Sequence, residues 1–395
     1  MYAIRLHAFG PAENLLYEEV EDPEPGPGQV RVAVRAAGVH LVDTTLRAGK
    51  YAGGPIPVPD LPTIPGREVA GIVDAVGPGA DPGLVGRRVV THLGMVPGGY
   101  AELAVRDASA IHEIPDGLGY GEAVAMIGSG RTTMGILDIA EIRADDVVLV
   151  TAAAGGIGNL LVQAAVRAGA TVVGLAGGAA KVGRVLELGA HHAVDYAVPG
   201  WPDEVRAILG DREVTLALDG VGGALGRATL ELLGVGGRIV LFGWADAQGG
   251  PTALTTQDLF ARGITAAVAV GARVLKRPGG LRGLEERALA AAGSGALVPL
   301  VQSFPLKDAA AAHAALETRA TTGKVVLVSL GDHNGMGEHR GVAVAEVVPG
   351  SGIGLGSAVL VGGPHPHDVG AGSGIPGEPP AGPDAREAGP VEVGG

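Results

Sequence analysis

The residues best placed to do chemistry lie between positions 147 and 181. An apolar run, Val147-Val148-Leu149-Val150, leads into Ala152-Ala153-Ala154-Gly155-Gly156-Ile157-Gly158. An amphipathic stretch from Asn159 to Ala168 follows, and a second apolar run, Thr171–Leu175, closes the unit. Strand, glycine turn, helix, strand is the dinucleotide-binding βαβ pattern, here spaced A-x-G-x-x-G with Ala153 in the first place. Gly155 lets backbone approach a pyrophosphate and Gly158 lets the helix pack on the strand. The first N–H groups of the helix, with Gly156 and Ile157 in the turn, face the phosphates. The end of the second run selects the dinucleotide. NAD sites usually carry a carboxylate there for the ribose 2′-hydroxyl, whereas this chain reads Leu175-Ala176-Gly177-Gly178-Ala179-Ala180-Lys181. Removing the acid removes repulsion against a 2′-phosphate and Lys181 adds attraction, so the spacing predicts NADP(H). The plainer alternative is Lys181 as a solvated first-turn residue.

The elements that must position these residues fall into two kinds. From Met1 to about Tyr120 the chain reads as short strands with Gly/Pro turns, including the strict alternation Val30-Arg31-Val32-Ala33-Val34, which predicts a compact, barrel-like β domain. From about Gly121 to Val301 strands alternate with helices, with strands expected at 147–151, 171–175, 214–218 and 238–242. This predicts a parallel sheet wound on both faces. A helix near 307–318 and the strand Val325–Val328 finish the ordered part. The last 65 residues hold 18 Gly and 8 Pro, no aromatic residue, and eight acids against two arginines. Such a segment buries too little apolar surface to offset its ordering entropy, so 331–395 reads as a disordered tail, or as GC-rich coding sequence in another frame. Its histidines, His333, His339, His365 and His367, are too widely spaced to favour a metal tract.

Composition excludes several function classes. Zero cysteines among 395 residues remove disulfides, thiolate zinc sites, iron–sulfur clusters and cysteine nucleophiles. A net charge of −13 argues against nucleic acid or an anionic membrane as a standing partner, so cofactor phosphates depend on local cations. Aromatics are only 3 % against 47 % hydrophobic residues overall, so aliphatic packing must dominate the core. No apolar run approaches the roughly 18 residues of a membrane span, and the first residues lack a signal-peptide pattern. A cytoplasmic protein is expected.

Residues 1–330 resemble the zinc-independent NADPH:quinone oxidoreductases of the medium-chain dehydrogenase/reductase superfamily. The resemblance rests on Ala36-Ala37-Gly38-Val39-His40-Leu41-Val42-Asp43, Ile64-Pro65-Gly66-Arg67-Glu68-Val69-Ala70-Gly71, Gly98-Gly99-Tyr100-Ala101-Glu102, the glycine turn, and Arg319-Ala320-Thr321-Thr322-Gly323-Lys324-Val325-Val326. It implies an α/β chain with a GroES-like β-barrel catalytic domain (1–122 with 302–330) and a Rossmann, doubly wound parallel-sheet cofactor domain (123–301). In the metal-using branch residues 66–68 read Gly-His-Glu, the histidine helping bind zinc. Arg67 and the lack of cysteine therefore imply no metal, with Glu68 structural or ion-paired. For the 2′-phosphate the resemblance implies Gly177, Lys181, Tyr196 and Arg319, and for the nicotinamide end Thr132, Phe242 and Gly243. Thr132 also reads as a helix N-cap.

Without a metal, hydrogen-bond donors must stabilise the oxygen that gains charge after hydride transfer. The resemblance places Tyr51 in the acceptor pocket, and His40 where many relatives have asparagine. His40 is a hydrogen-bond donor and a proton source, or else a satisfied histidine at a strand end. Thr45 replaces a second tyrosine. Asp43 reads as an arginine partner or helix cap. The first expectation is hydride transfer from NADPH to a quinone. The rival is reduction of the C=C bond of an enone or enoyl thioester, with Arg47, Lys50 and Arg67 as a cationic entrance for a carrier phosphate. An NADPH-binding structural or sensory protein with little turnover is the alternative of another class. A homodimer is implied, with 263–271 as a plausible pairing strand or else an interior one.

Overall fold

The computed structural model describes residues 1–50, 56–246, 248–269, 271, 276 and 279–329. Tyr51 and the tail from residue 330 lie outside them. The chain opens with an antiparallel pair, β1 (Tyr2–Leu6) and β2 (Leu15–Glu19). Strand β3 (Gln29–Val39) is the longest, and its burial alternates through Val34 before both faces become covered. That change explains why alternation alone captured only its first half. Helix α1 (Leu41–Arg47) follows at once, then β4 (Glu68–Val76), β5 (Arg88–His92), β6 (Leu103–Asp107) and β7 (His112–Glu113). Helix α2 (Tyr120–Ala125) passes through a wide turn at Met126–Gly130 into α3 (Arg131–Ala140).

The parallel sheet is built from β8 (Val147–Val150), α4 (Gly158–Arg167), β9 (Thr171–Ala176), α5 (Ala179–Glu187), β10 (His192–Asp195), α6 (Trp201–Leu209), β11 (Val214–Asp219), α7 (Gly223–Glu231), β12 (Leu233–Leu241), α8 (Thr256–Arg262) and β13 (Thr265–Val268). Its order, β10-β9-β8-β11-β12-β13, reverses direction at β8, so a crevice opens at the C-terminal ends of β8 and β11. β13 lies at the edge of this order with Val268 exposed, which settles it as an edge strand. Aliphatic clusters cover both faces, Val148, Val150, Leu161, Leu216 and Leu218 in one and Leu149, Leu175, Ala217 and Ile239 in the other.

The helix Gly280–Gly293 packs on α3, and then β14 (Val301–Pro305), the helix Ala309–Glu317 and β15 (Lys324–Val328) return to the first sheet. That sheet runs β14-β15-β3-β4-β5-β7, with β6 also on β3. β15 pairs antiparallel with the end of β3, Val325 opposite Val39. The first residue of β15 is thereby set beside the residues that follow β3. No described helix is long and apolar enough to cross a membrane.

Candidate active site

The glycine turn sits in the crevice between β8 and α4. Ala152 adopts a left-handed φ of 46°, and a Cβ on Gly158 would run into the Ala152 carbonyl oxygen. Only glycine lets the helix start this close to the strand. The N–H groups of Gly156, Ile157 and Gly158 have no hydrogen-bond partner among the described residues. Asn159 Nδ2 donates to the carbonyls of Gly155 (2.7 Å) and Gly156 (2.8 Å), while its Oδ1 accepts from Leu300 N. From the other side Gly323 N donates to Ala154 O at 2.7 Å, and Gly323 bridges Gly155. The turn is a rigid cradle with outward N–H groups, which fits a pyrophosphate.

The four residues expected around a 2′-phosphate come from three segments and meet in pairs. Tyr196 lies against Gly177, where a Cβ would sit 3.1 Å from the phenol oxygen. Lys181, in the first turn of α5, donates from Nζ to the Arg319 carbonyl at 2.6 Å. Burial, then the Arg319 charge, hold the Lys181 ammonium below its ordinary pKa. Arg319 itself adopts φ 56° just beyond the helix Ala309–Glu317. Asp195, at the end of β10, commits one carboxylate oxygen to backbone: Gly178 N and Ala197 N both donate to its Oδ1 at 2.9 Å, which holds its carboxyl below the usual range.

At the other end of the crevice Phe242 packs on Gly220 and Gly243 abuts the same residue. Phe242 N donates to the carbonyl of Asp219 at 2.9 Å, and the buried Asp219 carboxylate accepts from Thr151 Oγ1, Thr252 Oγ1 and Val221 N. Thr132 Oγ1 donates to Gly128 O at 3.0 Å, and Gly130 is the N-cap of α3. Thr132 therefore does not cap the helix: the chain is already helical through Gly128–Gly130, so the N-cap geometry never arises at 132.

His40 is the N-cap of α1, and its side chain is 30 % exposed. Its Nε2 lies 2.6 Å from Glu68 Oε1 and 2.8 Å from Lys324 Nζ, and Lys324 Nζ lies 2.9 Å from Glu68 Oε2. Glu68 is fully buried, with Gly38 and Gly128 leaving the space its carboxylate fills. Burial alone would raise its pKa, but His40 and Lys324 outweigh that and hold the carboxyl well below the usual range. Glu68 is thus ion-paired, as its neighbourhood of residue types implied. Its two oxygens lie within ion-pair distance of His40 and Lys324 without the alignment of a hydrogen bond. His92, opposite Glu68 on β5, is pushed down to about 4, chiefly by burial.

A second buried network supports this one. Asp43 Oδ2 accepts from His40 N (2.9 Å) and from the Tyr100 hydroxyl (3.1 Å), and Asp43 Oδ1 accepts from Arg67 (2.9 Å). Tyr100 also contacts His313, and Arg47 pairs with Glu317. Asp43 is thus both arginine partner and helix cap. Arg47 and Arg67 are about 95 % buried and already paired, so they form no cationic entrance. The expectation failed because α1 turns Arg47 inward to Glu317, and the chain entering β4 turns Arg67 inward to Asp43. Sequence reading also passed over Lys324, quoted only within a motif, and the His112–Glu285–Arg131 cluster beside α3. Nothing local to Lys324 signals a partner 284 positions away.

Zinc-using relatives would need a histidine at 67. Here that position is an arginine committed to Asp43, and no group of three or more His, Cys, Asp or Glu side chains among the described residues is arranged to hold a metal. The donor set does not fit a zinc ion.

The sequence matches the family Alcohol dehydrogenase GroES-like domain over residues 26–116 and Zinc-binding dehydrogenase over 156–279. It is 31 % identical to a 2-haloacrylate reductase of Burkholderia sp over 336 residues, 82 % of this chain and 97 % of that protein. It is equally 31 % identical to a quinone oxidoreductase of Salmonella typhimurium, covering 82 % of this chain and 98 % of that one. Among solved structures, Escherichia coli quinone oxidoreductase complexed with NADPH superposes with a TM-score of 0.73 at 29 % identity, over 83 % of this chain and 100 % of that one. With its glycine cradle, its two sheets and these matches along most of its length, the chain belongs to the quinone oxidoreductase family of the medium-chain dehydrogenases/reductases.

Proposed function

We propose that the protein is a zinc-independent oxidoreductase that passes a hydride from NADPH to a quinone. The observation that carries this reading is the corner at the end of β9, where Lys181 Nζ meets the Arg319 carbonyl, Tyr196 lies on Gly177, and no carboxylate stands between Ala176 and Lys181. Such a corner favours a 2′-phosphate over a 2′-hydroxyl. Bound NADPH would supply the hydride. The chain's own residues do the rest: the cradle at 155–158 holds the pyrophosphate, Phe242 and Gly243 line the nicotinamide end with Thr132, and His40 serves the acceptor, with Tyr51, outside the described residues, proposed as a second donor to it. His40 donates a hydrogen bond, then a proton, to the oxygen that gains charge.

The second reading, reduction of an activated C=C bond, is favoured by the 2-haloacrylate reductase among the relatives. A phosphate-carrying thioester is disfavoured, since Arg47 and Arg67 are already paired. We assign 1–122 with 302–330 to the catalytic domain and 123–301 to the cofactor domain of a cytoplasmic homodimer joined along β13, which sedimentation of the full chain tests. The deciding experiment is NADPH and NADH oxidation by the full-length protein against matched panels of quinones and of enones with 2-substituted acrylates. Faster turnover of quinones with NADPH is expected. Turnover of the C=C panel alone would overturn the acceptor, and NADPH binding without turnover of either panel would make this a binding protein.

A further inference from the structure

Within the reading just given, His40 needs a source for the proton it hands on, and its Nε2 has two neighbours of opposite kind. Lys324 Nζ, 2.8 Å away, only donates while it is an ammonium, and Glu68 Oε1, 2.6 Å away, only accepts while it is a carboxylate. His40 Nδ1 has no partner among the described residues, and the side chain is open on one side. Each neutral tautomer of the ring therefore has its own partner. With the proton on Nδ1, Nε2 accepts from Lys324. With the proton on Nε2, the ring nitrogen lies 2.6 Å from Glu68 Oε1, whose negative charge favours that tautomer without an aligned hydrogen bond.

We propose that Lys324 is the proton source behind His40, and that the charge of Glu68 stabilises the tautomer left after transfer. In the step, the Nδ1–H bond breaks as an O–H bond forms on the acceptor oxyanion. The Nζ–H bond of Lys324 breaks as Nε2–H forms. One negative charge on the acceptor and one positive charge on Lys324 disappear together, leaving a neutral amine. The reverse path reloads it: Nδ1 takes a proton from water and Nε2–H returns one to Nζ. The other charged or titratable groups facing this cluster are His92 on β5, Arg67 beside Glu68, and Arg131 at the start of α3. Arg67 is held by Asp43 and Arg131 by Glu285, so neither competes for Nε2. Lys324 also directly follows Gly323, which bonds the glycine cradle, so the proton source is one residue from the contact that braces the pyrophosphate turn.

Two variants separate a relay from mere support. Lys324→Met removes the proton, and Lys324→Arg keeps the charge on a group that does not release one. The full-length protein labelled with 15N-histidine, with His40→Asn to assign the His40 signals, reports which ring nitrogen carries the proton. We expect the Nδ1–H form in the native protein and the Nε2–H form in Lys324→Met. Both Lys324 variants should lose about 10²-fold in kcat while the NADPH dissociation constant stays within about twofold. Full kcat in Lys324→Arg, or an unchanged tautomer in Lys324→Met, overturns the relay. If Lys324→Met does not fold, the native tautomer and Lys324→Arg decide the matter. The native tautomer is read without any acceptor, so failure of the quinone reading and failure of the relay are distinguishable.

Discussion

Lys181 is the residue on which the choice of dinucleotide turns. Its Nζ reaches only the Arg319 carbonyl, which leaves donors free for a phosphate. Lys181→Ala should raise the NADPH dissociation constant about 10- to 100-fold, the worth of a charge-assisted hydrogen bond, and the NADH constant by less than about twofold. Fluorescence titration of the two nucleotides checks this, and equal effects would mean that Lys181 does not meet the 2′-phosphate. This lysine was legible in the sequence because its signal is local, a strand end without a carboxylate. His40 was legible as a donor only through resemblance. Its partners were not, since Glu68 and Lys324 are brought to it by strand pairing across the whole chain.

Among the elements, the turn between β8 and α4 has the narrowest tolerance. Gly158→Ala places a methyl group against the Ala152 carbonyl, so the helix start must shift, at about 1–3 kcal/mol for forced overpacking. The expected outcome is a lowered melting temperature together with lost nucleotide binding. Retained NADPH affinity would show that the cradle is less rigid than its contacts suggest. The apolar period and glycine spacing announced this element and its neighbours β9, β11 and β15. They did not announce β10, whose four residues are only partly buried and carry His192 at the start, nor the first half of β12, which is interrupted by Gly234, Gly236 and Gly237. α1 was legible only as a motif, and its inward Arg47 depends on the helix Ala309–Glu317 that packs over it.

For the whole molecule, buried histidines set the response to acid. His313 is fully buried and His92 half-buried, and burial pushes each down to about 4 from an ordinary 6.5. Both bases stay neutral in the folded protein over a range where the unfolded chain protonates. Stability should therefore fall as pH drops from about 6.5 to about 4, by up to about 1.4 kcal/mol per pH unit for each group. Glu68 adds a loss at still lower pH, because its depressed carboxyl contributes only while ionised. Urea midpoints measured across pH 4–7 test this, and a flat profile between 6.5 and 4 would refute it.

The return of β14 and β15 to the first sheet also has a meaning for synthesis. β3 is made early, yet one of its neighbours is β15, which leaves the ribosome some 300 residues later. Until then β3 must wait with an open flank, while the parallel sheet of 147–268 is free to form first. Arg319, Gly323 and Lys324 arrive in the same late stretch, so a nascent chain possesses neither a closed nucleotide corner nor a loaded His40. On the proposed roles, reduction is expected only once residue 324 has been made, and a chain cut short before it should be inert however well its central sheet has folded.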